Sequence, residues 1–559
     1  YFIETQEKAG RIPYKELNNF SKDVQLTSEQ SRAIQSVINT EKRVTLLFGV
    51  TGSGKTEVYL RLINETLKKG RTAIMLVPEI ALTPQMLGQL RARFEGSVSI
   101  LHSGLSAGER YDEWLKLKTG ESKIAIGARS AIFAPLENVG IIIVDEEHDS
   151  SYDAETSPRY KTVEIAIKRA AETGAKVVLG SATPSIESYD KALSGEYNLA
   201  EMKTRINGKQ LPEFIVADMR KEIKRGNASI FSADLRDWLE DCLKNGNQAI
   251  VFYNRRGYSR QVICRDCGYV AKCENCDISL NYHKDYNLLK CHYCGATYKM
   301  PKACPECGSI NLSYSGAGTQ KIVSELENLF PSAKIIRMDN DTTQTKDGHF
   351  KILKEFAEHK ADFLVGTQMV AKGHDFPSVT LVGILDADMS LYFSDYRSGE
   401  RTFQLITQVA GRSGRANKKG KVVLQTYNPE NEILQAAINY DYDGFFEREK
   451  AIRKATGFPP YALIVRVMIE SEDDSVALDT LKTVYIKTSK IFDNHRENFL
   501  FFNKMKSPVK RIKNKFRYQL LMRLTGDYSS IKDEIYDIAE SAKTPKILCY
   551  VEENPSNLY

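Results

Sequence analysis

Gly49-Val50-Thr51-Gly52-Ser53-Gly54-Lys55-Thr56 has the residue types and spacing of a triphosphate cradle, G-x-x-x-x-G-K-[ST]. Its glycines let backbone amides close around an anion, and a helix opening near Lys55 turns its positive end to the same charge. Lys55 and Thr56 would add a cation and a hydroxyl on the magnesium side. Further on, the apolar run Ile141-Ile142-Ile143-Val144 leads into Asp145-Glu146-Glu147-His148. Carboxylates at the carboxyl end of a buried strand sit at the ligand crevice of an open α/β sheet. Asp145 is expected to hold Mg2+ through water, and Glu146 to orient or deprotonate the water that attacks the γ-phosphate. Arg412 and Arg415, in Gln408-Val409-Ala410-Gly411-Arg412-Ser413-Gly414-Arg415, stand three apart. On a helix they would share a face and could reach the γ-phosphate. Singly, these features also read as a glycine turn, a solvated acidic loop and an exposed basic face. Their succession on one chain argues for a site that uses ATP and Mg2+.

A second chemistry lies in the cysteines, eight of ten of which form the C-x-x-C pairs Cys264/Cys267, Cys273/Cys276, Cys291/Cys294 and Cys304/Cys307. Without a secretory signal, such spacing reads as metal ligation rather than disulfides. Eight thiolates fill two closed tetrahedral Zn2+ sites and leave no open position for catalysis. Gly268, Gly295 and Gly308 directly follow three of the pairs, as in zinc ribbons, which favours zinc over an iron–sulfur cluster. The four pairs can combine sequentially, interleaved or nested, and sequential pairing would fold two pairs onto one ion across only Gly268 to Lys272. Nested pairing instead leaves Asp277 to Lys290 free to form a hairpin between the inner pairs. His283 and His292 are then surface or nucleic-acid contacts, and Cys242 and Cys549 are buried apolar residues.

The 559 residues exceed one hydrophobic core and predict three or four domains. With 42% hydrophobic and 27% charged residues the chain is globular, and no run approaches the ~18 apolar residues of a membrane helix. A net charge of +6 permits a polyanionic partner without requiring one. The chain opens on Tyr1 with no secretory signal, so it reads as a piece of a longer cytoplasmic protein.

Alternating helix and strand signals position these residues. Thr27 and Gln30 form a capping-box pattern before Ala33, Ile34, Val37 and Ile38, although a glutamine at that distance from a phosphate loop can also read adenine. A helix to Lys69 ends at Gly70. Strands follow at Thr72–Val77, Ile124–Ile126, Ile141–Val144 and Ala175–Leu179, the last before Gly180-Ser181-Ala182-Thr183-Pro184. Tyr152 and Tyr160 flank Pro158 and Arg159 in a turn-rich segment. They could stack on unpaired bases, at about 1–3 kcal/mol each, or pack against their own lobe. After Gly457-Phe458-Pro459-Pro460-Tyr461 the pattern is β-α-β-β-α-β, a ferredoxin-like order. Between its middle strands Lys504, Lys506, Lys510, Arg511, Lys513, Lys515 and Arg517 read as a solvated loop or a phosphate-tracking surface.

The series Gly49 to Thr56, Asp145 to His148, Ser181-Ala182-Thr183, Gly366-Thr367-Gln368 and Gln408 to Arg415 resembles the superfamily 2 helicases. More narrowly, the Asp-Glu-Glu-His box, Val77 to Thr83, Ile126 to Ala131, Tyr253 to Tyr258 and the cysteine insert resemble the PriA family of bacterial primosomal replication-restart helicases, from about residue 20 onward. The resemblance implies an α/β fold with two RecA-like helicase lobes, a zinc-binding insert and a C-terminal ferredoxin-like α+β domain. The expected domains are 1–22 (linker, or tail of a missing N-terminal DNA-end-binding region), 23–205 (first lobe), 206–262 and 311–430 (second lobe), 263–310 (two-zinc insert) and 431–559 (C-terminal domain). It implies ATP binding by Gln30, Gly49 to Thr56 and Gln408, with Lys55, Asp145, Glu146, Arg412 and Arg415 catalytic and Thr56 and Asp145 at the magnesium. DNA contacts are expected at Arg129, Tyr152, Tyr160 and Lys372. The implied activity is DNA-stimulated ATP hydrolysis and 3′-to-5′ unwinding at stalled or repaired forks, with reloading of the replicative helicase. The implied partners are single-stranded and forked DNA, single-stranded-DNA-binding protein and other primosome proteins. Two other functions fit the residues: a zinc-dependent nucleic-acid adaptor using ATP as a binding switch, and a double-strand DNA translocase.

Overall fold

The computed structural model describes residues 25–556 apart from 79–83, 95, 155, 209, 228, 254–260, 265–268, 270, 275–279, 284–287, 291–295, 311, 316–318, 340–341, 343–347, 372–375, 393–394 and 415–418. Seven strands, β1 (Val44–Gly49), β2 (Thr72–Leu76), β3 (Val98–Leu101), β4 (Ile124–Gly127), β5 (Val139–Asp145), β6 (Lys176–Ser181) and β7 (Asn198–Met202), form a parallel sheet in the order β3-β4-β2-β5-β6-β1-β7. Successive strand residues point to opposite faces, yet Leu46 and Leu47 are both fully buried, as are Ile142, Ile143 and Val144. Both faces of the sheet are therefore covered, which is why its strands read as unbroken apolar runs.

A second sheet begins with β8 (Glu213–Asp218) and β9 (Gln248–Tyr253). The chain then leaves it for the cysteine-rich strands β10 (Gln261–Cys264), β11 (Asn281–His283), β12 (Leu288–Lys290), β13 (Thr297–Lys299) and β14 (Leu312–Ser315), which pair antiparallel as β13-β12-β11-β10-β14. It returns as β15 (Ile335–Met338), β16 (Phe363–Gly366), β17 (Val379–Leu385) and β18 (Lys421–Thr426), completing a parallel sheet in the order β15-β16-β9-β17-β18-β8.

The C-terminal strands β19 (Leu463–Ser471), β20 (Phe499–Ile512), β21 (Lys515–Leu524) and β22 (Leu548–Glu553) pair antiparallel as β20-β21-β19-β22. Helices Asp474–Asn494 and Ser529–Ser541 contribute Leu481, Val484, Ile531 and Ile535 to one core with these strands. The chain order is β-α-β-β-α-β, as the sequence reads. The basic run differs from the loop expected of it. Lys504, Lys506, Lys510 and Arg511 lie in β20 and Lys515 and Arg517 in β21, joined at Lys513 and Asn514 with φ of 49° and 63°. Those are the dihedrals of a tight two-residue hairpin turn.

The contacts divide the chain into two compact units, residues 1–254, 326–392 and 399–445, and residues 255–325, 393–398 and 446–559. The first holds both parallel sheets. Within the second, the cysteine-rich strands bury Val262, Leu280 and Leu289, and Ile512 at the end of β20 packs against that core. Among the described residues no helix is long and apolar enough to cross a membrane.

Candidate nucleotide cleft and cysteine site

The phosphate loop joins the end of β1 to helix Lys55–Lys68, whose first-turn amides have no intrahelical acceptor. Gly54 has φ of +84°, and a Cβ there would lie 2.2 Å from Gln30 Nε2, so the position needs glycine for conformation and for space. Gln30 is buried and its amide is engaged at both ends. Oε1 accepts from Thr27 N at 2.9 Å, and Nε2 donates to Ser53 O at 3.2 Å and Gly54 O at 3.4 Å. The capping box is thus formed, and Gln30 steadies the phosphate loop. Val50 N and Ile206 N pin the loop through Met202 O and Gly52 O, both at 3.0 Å. Arg205, which the sequence did not mark, packs 3.7 Å from where a Cβ on Gly52 would stand. Lys55 Nζ donates to Gly49 O at 2.6 Å. Among the described residues the buried Ser53 hydroxyl has no partner. Glycine backbone, lysine and an unpartnered hydroxyl fit a polyphosphate.

Asp145 ends β5, where Tyr59 OH donates to its Oδ1 at 2.8 Å and Tyr152 OH to its main-chain oxygen at 2.7 Å. Loss of surrounding water raises the Asp145 carboxyl to about 6; the Glu146 charge adds to this and Lys55 opposes it. A carboxyl of this kind fits a divalent cation, whose charge would replace the missing solvation. Glu146 has φ of +48°, unusual for a residue with a side chain and characteristic of functional sites. Its Oε2 lies 3.8 Å from His148 Nδ1, which is 2.8 Å from Ser181 Oγ, which accepts from Thr183 N at 2.9 Å. The acidic turn is thereby linked to Ser181-Ala182-Thr183.

The raised Asp145 carboxyl has a consequence for stability. Folding holds a proton there that the unfolded chain releases near pH 4, so this contribution to stability declines as pH rises from about 4 to about 6. Without nucleotide or Mg2+, the melting temperature of Asp145→Asn should rise relative to the unsubstituted chain across that window. A gap that stays constant from about pH 4 to about pH 7 contradicts it.

The arginines depart from expectation. Helix Ser398–Ala410 stops before them, and Arg412, buried, follows in a turn whose amide donates to Val409 O at 3.0 Å. Arg412 therefore lies beyond the helix and not on its face. Arg415 and Lys372 lie outside the described residues. Gln408 is half-buried in the last turn of the helix. A Cβ on Gly411 would fall 2.7 Å from Thr51 Cγ2, so glycine lets the arginine turn meet the phosphate loop.

Tyr152 is 2% exposed, with its hydroxyl on Asp145 and its carbonyl accepting from Thr162 Oγ1 at 2.6 Å. It presents no ring face to a base, which corrects its assignment as a stacking contact. Tyr160 is half-buried and meets Phe133 edge to face at 5.0 Å, Phe133 being 54% exposed. The half-buried Arg129 donates to Asp153 O at 3.0 Å and acts electrostatically on the Tyr160 phenol. Arg129, Phe133 and Tyr160 thus form a surface group in which Phe133 is new.

Cys267, Cys276, Cys291 and Cys294 lie outside the described residues, and Cys264 is described only by its place in β10. Cys273 and Cys304 are buried and Cys307 is exposed. Cys273 Sγ stands 3.4 Å from Tyr298 OH, and Gly308 N closes the Cys304–Cys307 turn on Cys304 O at 2.9 Å. In β11 and β12 Asn281 faces Lys290 and His283 faces Leu288, so the strands of the expected hairpin pair. In β10 and β14 Cys264 faces Leu312, shortly after Cys307. Thiols carried on such turns fit a closed zinc site, although among the described residues no three His, Cys, Asp or Glu form a metal-binding group. Cys242 and Cys549 are buried, and burial raises the Cys549 thiol to about 11.

Residues 27–192 match the DEAD/DEAH box helicase family, residues 273–299 the PriA DNA helicase Cys-rich region domain, and residues 314–417 the helicase conserved C-terminal domain. These matches imply nucleotide, Mg2+ and zinc. Three proteins named Replication restart protein PriA are similar to the chain. That of Bacillus subtilis is 47% identical over 93% of this chain and 65% of its own length. That of Chlamydia muridarum is 40% identical over 95% and 71%, and that of Haemophilus influenzae 36% identical over 100% and 75%. The chain thus spans just under two thirds of the Bacillus protein.

Proposed function

This chain belongs to the PriA family of replication restart proteins, and from that membership we propose that it is an ATP-driven DNA motor that moves 3′ to 5′ on single strands at stalled or repaired forks and helps reload the replicative helicase. The observation that carries the reading is the approach of Gly411, the residue before Arg412, to Thr51 of the phosphate loop. Gln30, Lys55, Gly49 to Thr56 and Gln408 bind the nucleotide, while Thr56 and Asp145 would hold Mg2+, which when bound neutralises phosphate charge. Tyr59 fixes one oxygen of Asp145. Glu146 orients the attacking water and takes its proton, and Arg412 and Arg415 stabilise charge that develops on the transferred phosphoryl group. Release of that charge would relax the join between the sheets, and alternation of joined and relaxed states moves the strand.

Arg129, Tyr160 and Lys372 are the proposed contacts to single-stranded DNA, and the Lys504–Arg517 hairpin a surface for duplex or forked phosphates. The cysteine insert holds two Zn2+ in nested pairing, as the Asn281–Lys290 and Cys264–Leu312 registers favour. Single-stranded-DNA-binding protein and primosome proteins are the proposed partners. Strand-displacement assays on duplexes with a single-stranded tail of either polarity test the proposal. ATP-dependent unwinding from the 3′ tail supports it, and unwinding from the 5′ tail alone, or translocation on duplex without unwinding, refutes it.

A further inference from the structure

Helix Ile186–Leu193 begins just after Ser181-Ala182-Thr183-Pro184, and two carboxylates, one from the acidic turn and one from helix Ser398–Ala410, grip its N-terminus. Glu147, in the acidic turn, accepts from Ser185 N at 2.7 Å, Ser185 Oγ at 3.1 Å and Ser188 Oγ at 2.9 Å. Glu400, on the helix that leads to Arg412, accepts from Ile186 N at 3.0 Å. Both carboxylates are buried, at 6% and 4% exposed. First-turn amides lack helical acceptors and carry the positive end of the helix dipole, so each carboxylate meets a charge it stabilises.

The surrounding contacts reinforce this join. Gln404 donates from Nε2 to Thr183 O and Glu400 Oε1, both at 3.4 Å, and Tyr442 OH donates to Pro184 O at 2.8 Å. Glu400, Gln404 and Gln408 follow one another at four-residue steps, so they share a face of their helix and lead to the turn that carries Arg412. Glu400 sits at the far end of that helix from Arg412. A side chain that holds one end against the first sheet sets the tilt of the other.

We propose that Glu400 is a positioning residue. With Glu147 it ties the acidic turn to the arginine helix through the N-terminus of helix Ile186–Leu193, so that Arg412 is held in register with the phosphate loop. The inference rests on the ATPase reading of the cleft, and its test therefore includes a measurement that needs no turnover.

In the full chain, Glu400→Ala should lower kcat about tenfold or more, the effect of one charge-assisted hydrogen bond, with KM for ATP changed less than about threefold. Glu400→Gln keeps an acceptor for Ile186 N and should restore most of kcat. The Glu147→Ala/Glu400→Ala pair should be no worse than the worse single substitution, since both act on one element. Tyr442→Phe, which deletes a single hydroxyl, should show the same split between kcat and KM in milder form should Glu400→Ala fold poorly. Hydrogen exchange of the segment from Pro184 to Leu193 should quicken in Glu400→Ala with no nucleotide present. Failure of the unsubstituted chain to hydrolyse ATP would count against the motor, while the exchange result still decides the tie. Unchanged exchange, or a Glu400→Gln variant as impaired as Glu400→Ala, overturns the inference.

Discussion

Glu146→Gln should leave ATP and single-stranded DNA bound with near-normal affinity while turnover falls by about 10²-fold or more, the usual cost of losing a general base. The amide keeps the size and one hydrogen-bonding oxygen of the carboxylate but cannot take a proton. The left-handed backbone at Glu146, φ +48°, is kept by either residue, so the substitution tests chemistry rather than shape. Rates of hydrolysis and nucleotide affinities measured together check it. Turnover near the unsubstituted level removes Glu146 from the mechanism, and a parallel loss of nucleotide affinity makes it a binding residue.

Serine at Cys267 and Cys307 together should cost one of two zinc ions, because nested pairing puts both thiolates on the same ion. Serine at Cys267 and Cys273 should cost both. Each closed site folds only with its metal, so the first pair should loosen the whole insert. The packing of Ile512 against the insert core extends the effect: loss of the base site should also expose the end of the β20–β21 hairpin. Zinc content by elemental analysis, with protease susceptibility of the insert, measures both. Loss of both ions from Cys267/Cys307 and of one from Cys267/Cys273 establishes sequential pairing instead.

What the sequence revealed and what it concealed follow from the range of the forces involved. The buried strands, the Thr27/Gln30 box and the C-terminal β-α-β-β-α-β order are written in neighbouring residues, and the structure repeats them. The spacing of Arg412 and Arg415 carries no mark of where their helix ends. The helix ends at Ala410, just where Gly411 meets Thr51, a contact across hundreds of residues of chain. Tyr152 has the local look of an exposed loop aromatic, and only the folded chain brings its hydroxyl to Asp145 O. Tyr59 reads as one more apolar position of its helix until its hydroxyl meets Asp145 Oδ1. In sequence the basic run has the look of a loop, since lysine and proline are poor strand residues. They fit β20 because it is an edge strand, where lysine and proline guard against pairing with another chain, and because its register shifts between Lys506 and Arg511. Glu400 carried no signal at all, since a glutamate on an amphipathic helix usually faces water.

The central claim, that the cleft turns ATP hydrolysis into work on DNA, is tested most directly by steady-state ATP hydrolysis by this chain with and without single-stranded DNA. The account predicts hydrolysis that rises at least about tenfold on adding DNA and is abolished by Lys55→Ala, which removes the cation from the triphosphate cradle. ATP bound at the cleft with negligible turnover in the presence of DNA would contradict it and identify the chain as a nucleotide-switched adaptor.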